Sequence, residues 1–375
     1  MSRPAPARRG ARKSGLTVRE GRLYGLFAFD IGWEIDLPRL RATLVPQRGD
    51  GAGRRAGPAL VQFHAPPVEI DLGTRRLPFA GAEVEAHASL RAHAFGAASV
   101  VFEIPLADLG LDRLTALTAE LTSTAPWEAT ARSCLREIFP RLAPFVERPD
   151  ATGHGLIEDY YVVQVTTMAP DRVAASLLDD ERERLAGLVH GDPSQLSESE
   201  VDEVLRTAVT YTPADLVVTD WNVALVIDQE YADAVAVLEQ LNVQLLELRY
   251  VDAMLDRRLN ALYDQAERPQ RLFSYRREAA WVRELTELRL DAVSLRERTA
   301  NALKLTGDLY LTKIHARTAE RLHLPIWQRS VDGKLELLER LTDVFRDRAS
   351  TARAEALEIA ILVLIALEIV LALLR

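Results

Sequence analysis

The stretch EALEIAILVLIALEIVLALLR, residues 355–375, constrains this chain more than any other. Ala356 to Leu374 is 19 residues, about 28 Å as a helix, close to the roughly 30 Å hydrocarbon layer of a bilayer. Thirteen of those residues are Leu, Ile or Val. On an insertion scale they contribute about −4 to −8 kcal/mol. An acidic residue at mid-span costs about +2.5 to +3.5 kcal/mol and less nearer an interface. Glu368 therefore does not forbid insertion, and Glu358 lies at the edge of the run. The competing reading is a buried helix of a soluble bundle, but such a helix normally shows a polar face and this run is apolar on all sides. Trp and Tyr, common anchors at membrane interfaces, are missing from it. The expectation is a transmembrane tail anchor over 355–375. Arg346, Arg348 and Arg353 precede it and only Arg375 follows, which places the soluble body in the cytoplasm at a bacterial inner membrane. Glu358 and Glu368 are the candidate membrane or interface residues. Glu368 reads either as a contact to a partner helix, such as the same helix of another subunit, or as a tolerated charge.

Before the anchor, two kinds of pattern divide the chain. Residues 20–228 mix β-rich runs with short helical patterns and lack regular βαβ alternation, so the fold class expected is α+β with a mostly antiparallel sheet. LYGLFAFDIGWEIDL (23–37) opens as a strand, with a helix from Pro38. ALVQFHA and VEIDL give short strands, and residues 84–106 a strand pair. Asp108 is expected to cap a helix over 108–123, and LIEDYYVVQVTTM (156–168) reads as a buried strand. Ser197–Glu200 has a capping-box pattern, and 215–228 reads as a hairpin.

From residue 229 to 354 the pattern is that of a long-helix stalk. One helix covers 230–264 and a second 275–323. On the second, Trp281, Leu285, Leu288, Ala292, Leu295, Thr299, Ala302, Thr306 and Leu309 follow a 4-3 seam. A last helix of about 44 residues is expected from near Val331, its seam running through Leu335, Leu338, Thr342, Phe345, Ala349, Ala352, Ala356 and Ile359. Helices this long need partners, from this chain or from other subunits, and a homo-oligomer is expected.

Net charge is −9, yet residues 1–60 hold 12 Lys/Arg against 5 Asp/Glu. The balance argues against nucleic acid as the main partner of the whole chain. Residues 1–19 read as a disordered basic tail without a secretory signal, and a contact to nucleic acid, a ribosome or anionic lipid is possible only there. The single cysteine, Cys134, excludes an intrachain disulfide and a cysteine-based zinc site.

Chemistry-bearing residues are sparse. Arg249, Asp252, Asp256, Asn260 and Tyr263 share one helical face. They read as a cation or proton site, or as an ion-paired face with Arg249 beside Asp252. His87 and His93 share a strand face, and His64 could join them as zinc ligands. His315 and His323, two helical turns apart, read as interface residues, and His154 as a loop residue. Phosphate-binding, dinucleotide, nucleophile-elbow and metalloprotease motifs are all missing. No catalytic residue, metal or cofactor is expected.

Four stretches, LFAFDIGWEIDL, LLELRYVDAMLDRRLNALYD (245–264), LKLTGDLYLTKIHARTAERLHLPIW (303–327) and the run from Gly333 to Leu371, together resemble the family named for "required for meiotic nuclear division". The resemblance covers the last 150 residues well and the sheet region loosely. It implies a soluble α/β region, long helices and one C-terminal span with an acidic residue at its start and another inside, positions matched by Glu358 and Glu368. It also implies self-association, no established enzymatic activity, and, in mitochondrial relatives, a link to organelle translation. It favours Arg249, Asp252, Asp256 and Tyr263 as interface positions; Trp281, Leu285 and Leu288 are helix-interface candidates by their 4-3 spacing. The function expected is a non-enzymatic membrane scaffold presenting its α+β domain to a cytosolic protein. The alternatives are a transport-related protein with a stalk and a span, or a metal-dependent enzyme with its site in the sheet.

Overall fold

The computed structural model describes residues 16–45, 61–63, 65–121, 125–152, 155–192, 194–266, 275–300, 303–305 and 308–374. The fold is mixed α+β: a mostly antiparallel sheet domain, then helices, the last of them long and apolar. In chain order the elements are β1 (Thr17–Asp30), β2 (Glu34–Ile35), α1 (Leu37–Leu44), β3 (Val61–Phe63), β4 (Val68–Phe79), β5 (Ala82–Ala92), β6 (Ala97–Leu106), β7 (Leu109–Gly110), α2 (Leu111–Leu121), α3 (Ala125–Leu142), β8 (Val146–Glu147) and β9 (Glu158–Ala169). Then follow α4 (Leu177–Asp180), α5 (Arg182–His190), α6 (Glu198–Leu205), β10 (Leu216–Thr219), β11 (Val223–Ile227), α7 (Ala232–Ala266), α8 (Tyr275–Ala300), β12 (Leu303–Leu305), α9 (Leu309–Arg321) and α10 (Leu324–Leu373). Two units divide the chain: Met1–Leu246 with Ala302–His323, and Glu247–Asn301 with Leu324–Arg375.

In the first unit the sheet order is β10-β11-β9-β1-β6-β5-β4. Every neighbour pair is antiparallel except β11 with β9. Side chains alternate across the sheet, as a two-residue period requires. Leu23, Phe27 and Phe29 of β1, Val100 and Phe102 of β6, and Tyr161 and Val163 of β9 turn to one face. There they meet Leu114 and Leu117 of α2, Trp127, Ala131 and Leu135 of α3, and Leu185 and Leu188 of α5. Gly25 makes room for this layer: a Cβ there would lie 2.8 Å from the Trp127 ring. That ring stands edge-on to Tyr161, centroids 5.7 Å apart, and its Nε1 donates to Pro78 O at 2.9 Å. On the opposite face Ala28 and Ala97 pack against Val243 and Leu246 of α7. Helices thus cover both faces of the sheet.

In the second unit the contacts fix the helix directions. Arg296 pairs with Asp332, Arg289 with Glu339 at 3.1 Å, and Trp281 with Phe345 at a centroid distance of 5.4 Å. Partner numbers move in opposite senses, so α8 and α10 are antiparallel. Arg258 of α7 meets Glu284 of α8 at 2.8 Å. Arg249 lies 5.8 Å over the Trp327 ring, and Asp252 meets Ser330 and Lys334. These numbers rise together, so α7 and α10 run parallel.

Several expectations need correction. Asp108 does not cap α2: it has φ 52°, binds Arg19 at 2.5 Å, and β7 intervenes before the helix starts at Leu111. The helix expected over 275–323 is broken. Residues Leu303–Leu305 pair with β3, and Asp308 starts α9 by accepting from Leu311 N at 3.0 Å. Leu309, expected on the seam, is 60% exposed, while Ala302 and Thr306 and the Thr299 side chain lie outside the described residues. Pro325 does not separate the last helix from what precedes it but sits in its first turn, where a missing N–H costs nothing. The last helix therefore has 50 residues. Helices α3 and α5 had no counterpart in the sequence reading.

Candidate functional site

The most unusual surface of the molecule is the far end of α10. Its inner seam is buried at Leu335, Leu338, Thr342 and Phe345 and half-buried at Ala349, Ala352, Ala356 and Ile359. From Ala360 to Leu374 every residue is exposed; Leu364 is 63% exposed and Leu373 81%. Burying a Leu or Ile side chain is worth about 1.5–3 kcal/mol, so a row of them facing water is not a stable end state. Among the described residues this is the one helix long and apolar enough to cross a membrane, and none of its apolar stretch is buried. That is compatible with membrane anchoring. Glu358 and Glu368 are both exposed on it.

On the α7 face singled out by sequence, Asp252 and Asp256 hold a cation, but it is Lys334 of α10. Its Nζ lies 2.7 Å from Asp252 Oδ1 and 2.6 Å from Asp256 Oδ2, and Ser330 Oγ donates to Asp252 at 2.7 Å. The Lys334 pKa is raised: burial lowers it, but hydrogen bonds and charge from the two carboxylates outweigh that. Asp252 thus takes its charge partner from the neighbouring helix, while the Arg249 guanidinium lies over Trp327. The Tyr263 side chain lies outside the described residues. Leu285 and Leu288 are buried on α8 beside Trp281.

Two polar clusters within the sheet unit escaped the sequence reading. In the first, Asp220 at the β10–β11 turn is fully buried. Its Oδ1 accepts from Arg321 Nε at 2.5 Å and Trp221 N at 2.7 Å, and its Oδ2 meets His190 Nδ1 at 2.9 Å. Arg321 also reaches Glu203 at 3.0 Å, and Thr318 of α9 meets Thr219 at 3.3 Å. A carboxylate behind Nδ1 fixes the tautomer of His190, the arrangement seen behind catalytic histidines. Here the same carboxylate fastens α9 to the hairpin. In the second cluster, on the face covered by α7, Arg91 is paired with buried Glu239 and with Glu69 at 3.2 Å. His93 Nε2 lies 3.3 Å from Ser99 Oγ and 3.9 Å from Glu239, and burial pushes its pKa down to about 4, so it is neutral at physiological pH. The polar run Glu239-Gln240-Leu241-Asn242 inside an apolar helix was the available signal for this cluster.

Of the histidines expected as zinc ligands, the two that are described, His87 and His93, differ in burial. His87 is exposed and 4.0 Å from Asp71, while His93 is buried. His64 and His154 lie outside the described residues. His323 sits beyond α9 at φ 56°, so it does not share a helical face with His315. Among the described residues no three His, Cys, Asp or Glu side chains converge to hold a metal.

Comparison with known proteins places the sheet domain. A family model for the N-terminal domain of uncharacterized protein MJ0711 matches residues 20–234. The chain is similar to uncharacterized protein MJ0711 of Methanocaldococcus jannaschii, 24% identical over 200 residues. The aligned part is 53% of this chain and 61% of that relative, so the chain spans less than two thirds of the relative's length. No solved structure matches the chain. Since the family match takes in more than half of its residues, the chain belongs to the family defined by the N-terminal domain of MJ0711.

Proposed function

We propose that this protein is a membrane-anchored, non-enzymatic scaffold. The apolar part of α10 lies in the bilayer, and the sheet unit and helical bundle stand in the cytoplasm at a bacterial inner membrane, where they present a docking surface to a soluble protein. The single observation that carries this reading is the exposure of every residue from Ala360 to Leu374 in a helix whose preceding part is packed. A core helix of a soluble protein hides its apolar side chains within its own chain, and here none of the described residues covers them. Arg346, Arg348 and Arg353 just before the apolar run suit the cytoplasmic side. The resemblance to the required-for-meiotic-nuclear-division family, where it holds, implies the same layout. Scaffolding rather than catalysis is favoured because the Asp220 and Glu239 clusters serve to join elements: α9 to the hairpin, and α7 to β5. Flotation with vesicles tests the anchor. The full chain should rise with the lipid and a chain ending at Thr351 should stay at the bottom; equal behaviour of the two would contradict the proposal.

A further inference from the structure

We infer that the apolar part of α10 pairs with the same helix of a second copy of this chain, with Glu368 facing Glu368; the inference rests on the membrane reading above. Glu368 lies ten residues beyond Glu358, about 15 Å further along the helix, hence near the middle of a roughly 30 Å hydrocarbon layer when Glu358 is at its edge. The inner seam of α10, continued at 4-3 spacing, runs through Val363, Ala366, Val370 and Leu373. At 100° per residue Glu368 stands about 140–160° away from that line. It belongs to the outer face, with Ile361, Leu364, Ile365 and Ala372. Lower on α10 that outer face carries Glu336, Arg340, Asp343 and Asp347, all exposed. In the apolar stretch the same stripe is reduced to one carboxyl.

Acyl chains offer that carboxyl no hydrogen bond, and the helix backbone is already paired with itself. Helix α8 starts six residues before Trp281, which packs on Phe345, so it reaches only to about residue 351 of its antiparallel neighbour. Among the described residues neither α7 nor α8 comes level with Glu368. A second copy supplies an identical group at the same depth, because a two-fold interface is self-complementary. Two facing carboxyl groups can share a proton and hydrogen-bond to each other.

The test uses the full chain in membranes, with single cysteines introduced on opposite faces and oxidised to disulfides. Native Cys134 is 1% exposed and stays as background. Ile361→Cys and Ala372→Cys should give a product of twice the 41.8 kDa chain mass, roughly fivefold more than Val363→Cys or Ala366→Cys. Adding Glu368→Leu should abolish the excess, and Glu368→Gln, whose amide still donates and accepts, should keep it. Equal cross-linking on both faces, no effect of Glu368→Leu, or a product of another mass would overturn the inference. Recovery of the chain in the membrane fraction of the same sample separates these outcomes from failure of the anchor itself.

Discussion

Arg321 Nε donates to Asp220 Oδ1 at 2.5 Å, joining α9 to the β10–β11 turn across 101 residues of sequence. The carboxylate is fully buried and the arginine side chain is 17% exposed. Removing one partner of a buried pair leaves an uncompensated charge. Arg321→Met should therefore cost about 3 kcal/mol in denaturant unfolding. Asp220→Asn keeps the shape and leaves Arg321 to Glu203, and should cost about 1 kcal/mol.

Lys334 divides itself between two carboxylates of very different exposure, 13% for Asp252 and 54% for Asp256. Solvent screening weakens the exposed pair. Double-mutant cycles should give a coupling of about 1 kcal/mol for Lys334 with Asp252 and under about 0.5 kcal/mol for Lys334 with Asp256. The reverse order would mean that Asp252 is held by Ser330 alone.

Burial pushes the Asp159 carboxyl up to about 6, with Glu128 adding to the rise and a backbone hydrogen bond opposing it. A carboxyl whose folded pKa is raised stabilises the fold below its ordinary value, near 3.9, and loses that contribution as pH rises through 6. Asp159→Asn lacks the titration. Its stability advantage over the parent should grow by about 1 kcal/mol between pH 5 and pH 7.5, read from urea midpoints at the two pH values.

Gly96 has φ +97°, and a Cβ there would lie 1.9 Å from Gly32 O. Gly81, at φ +76°, has nothing within 4 Å of the same position. Gly96→Ala should cost about 3 kcal/mol or more, by strain and overlap together, whereas Gly81→Ala should cost about 1 kcal/mol by strain alone. Thermal unfolding of the two variants compares them directly.

Much of the architecture was legible because it is local. β9 reads as a buried strand from its β-branched and aromatic run, and the α10 seam from its 4-3 spacing. The break between α8 and α9 was hidden because Thr299, Ala302 and Thr306 fit a seam without demanding one, and a three-residue strand has no period to detect. Helix α3 was missed because Pro126 stands in its first turn and Pro140 inside its last, and because Ala131 and Cys134 break up the apolar spacing of its buried positions Trp127, Leu135, Ile138 and Leu142. The Asp220 cluster assembles from residues 190, 203, 220 and 321, and no local pattern announces partners so far apart. The pairing of Asp252 and Asp256 with Lys334 was half visible: the two acids share a face by spacing, but the cation on the parallel helix does not follow from it.

Alkaline carbonate treatment of membranes from cells expressing the full chain tests the central claim most directly. Carbonate strips proteins held by charge and leaves those whose helices lie in the hydrocarbon. The chain should remain wholly in the pellet, and release into the supernatant would contradict the anchored account.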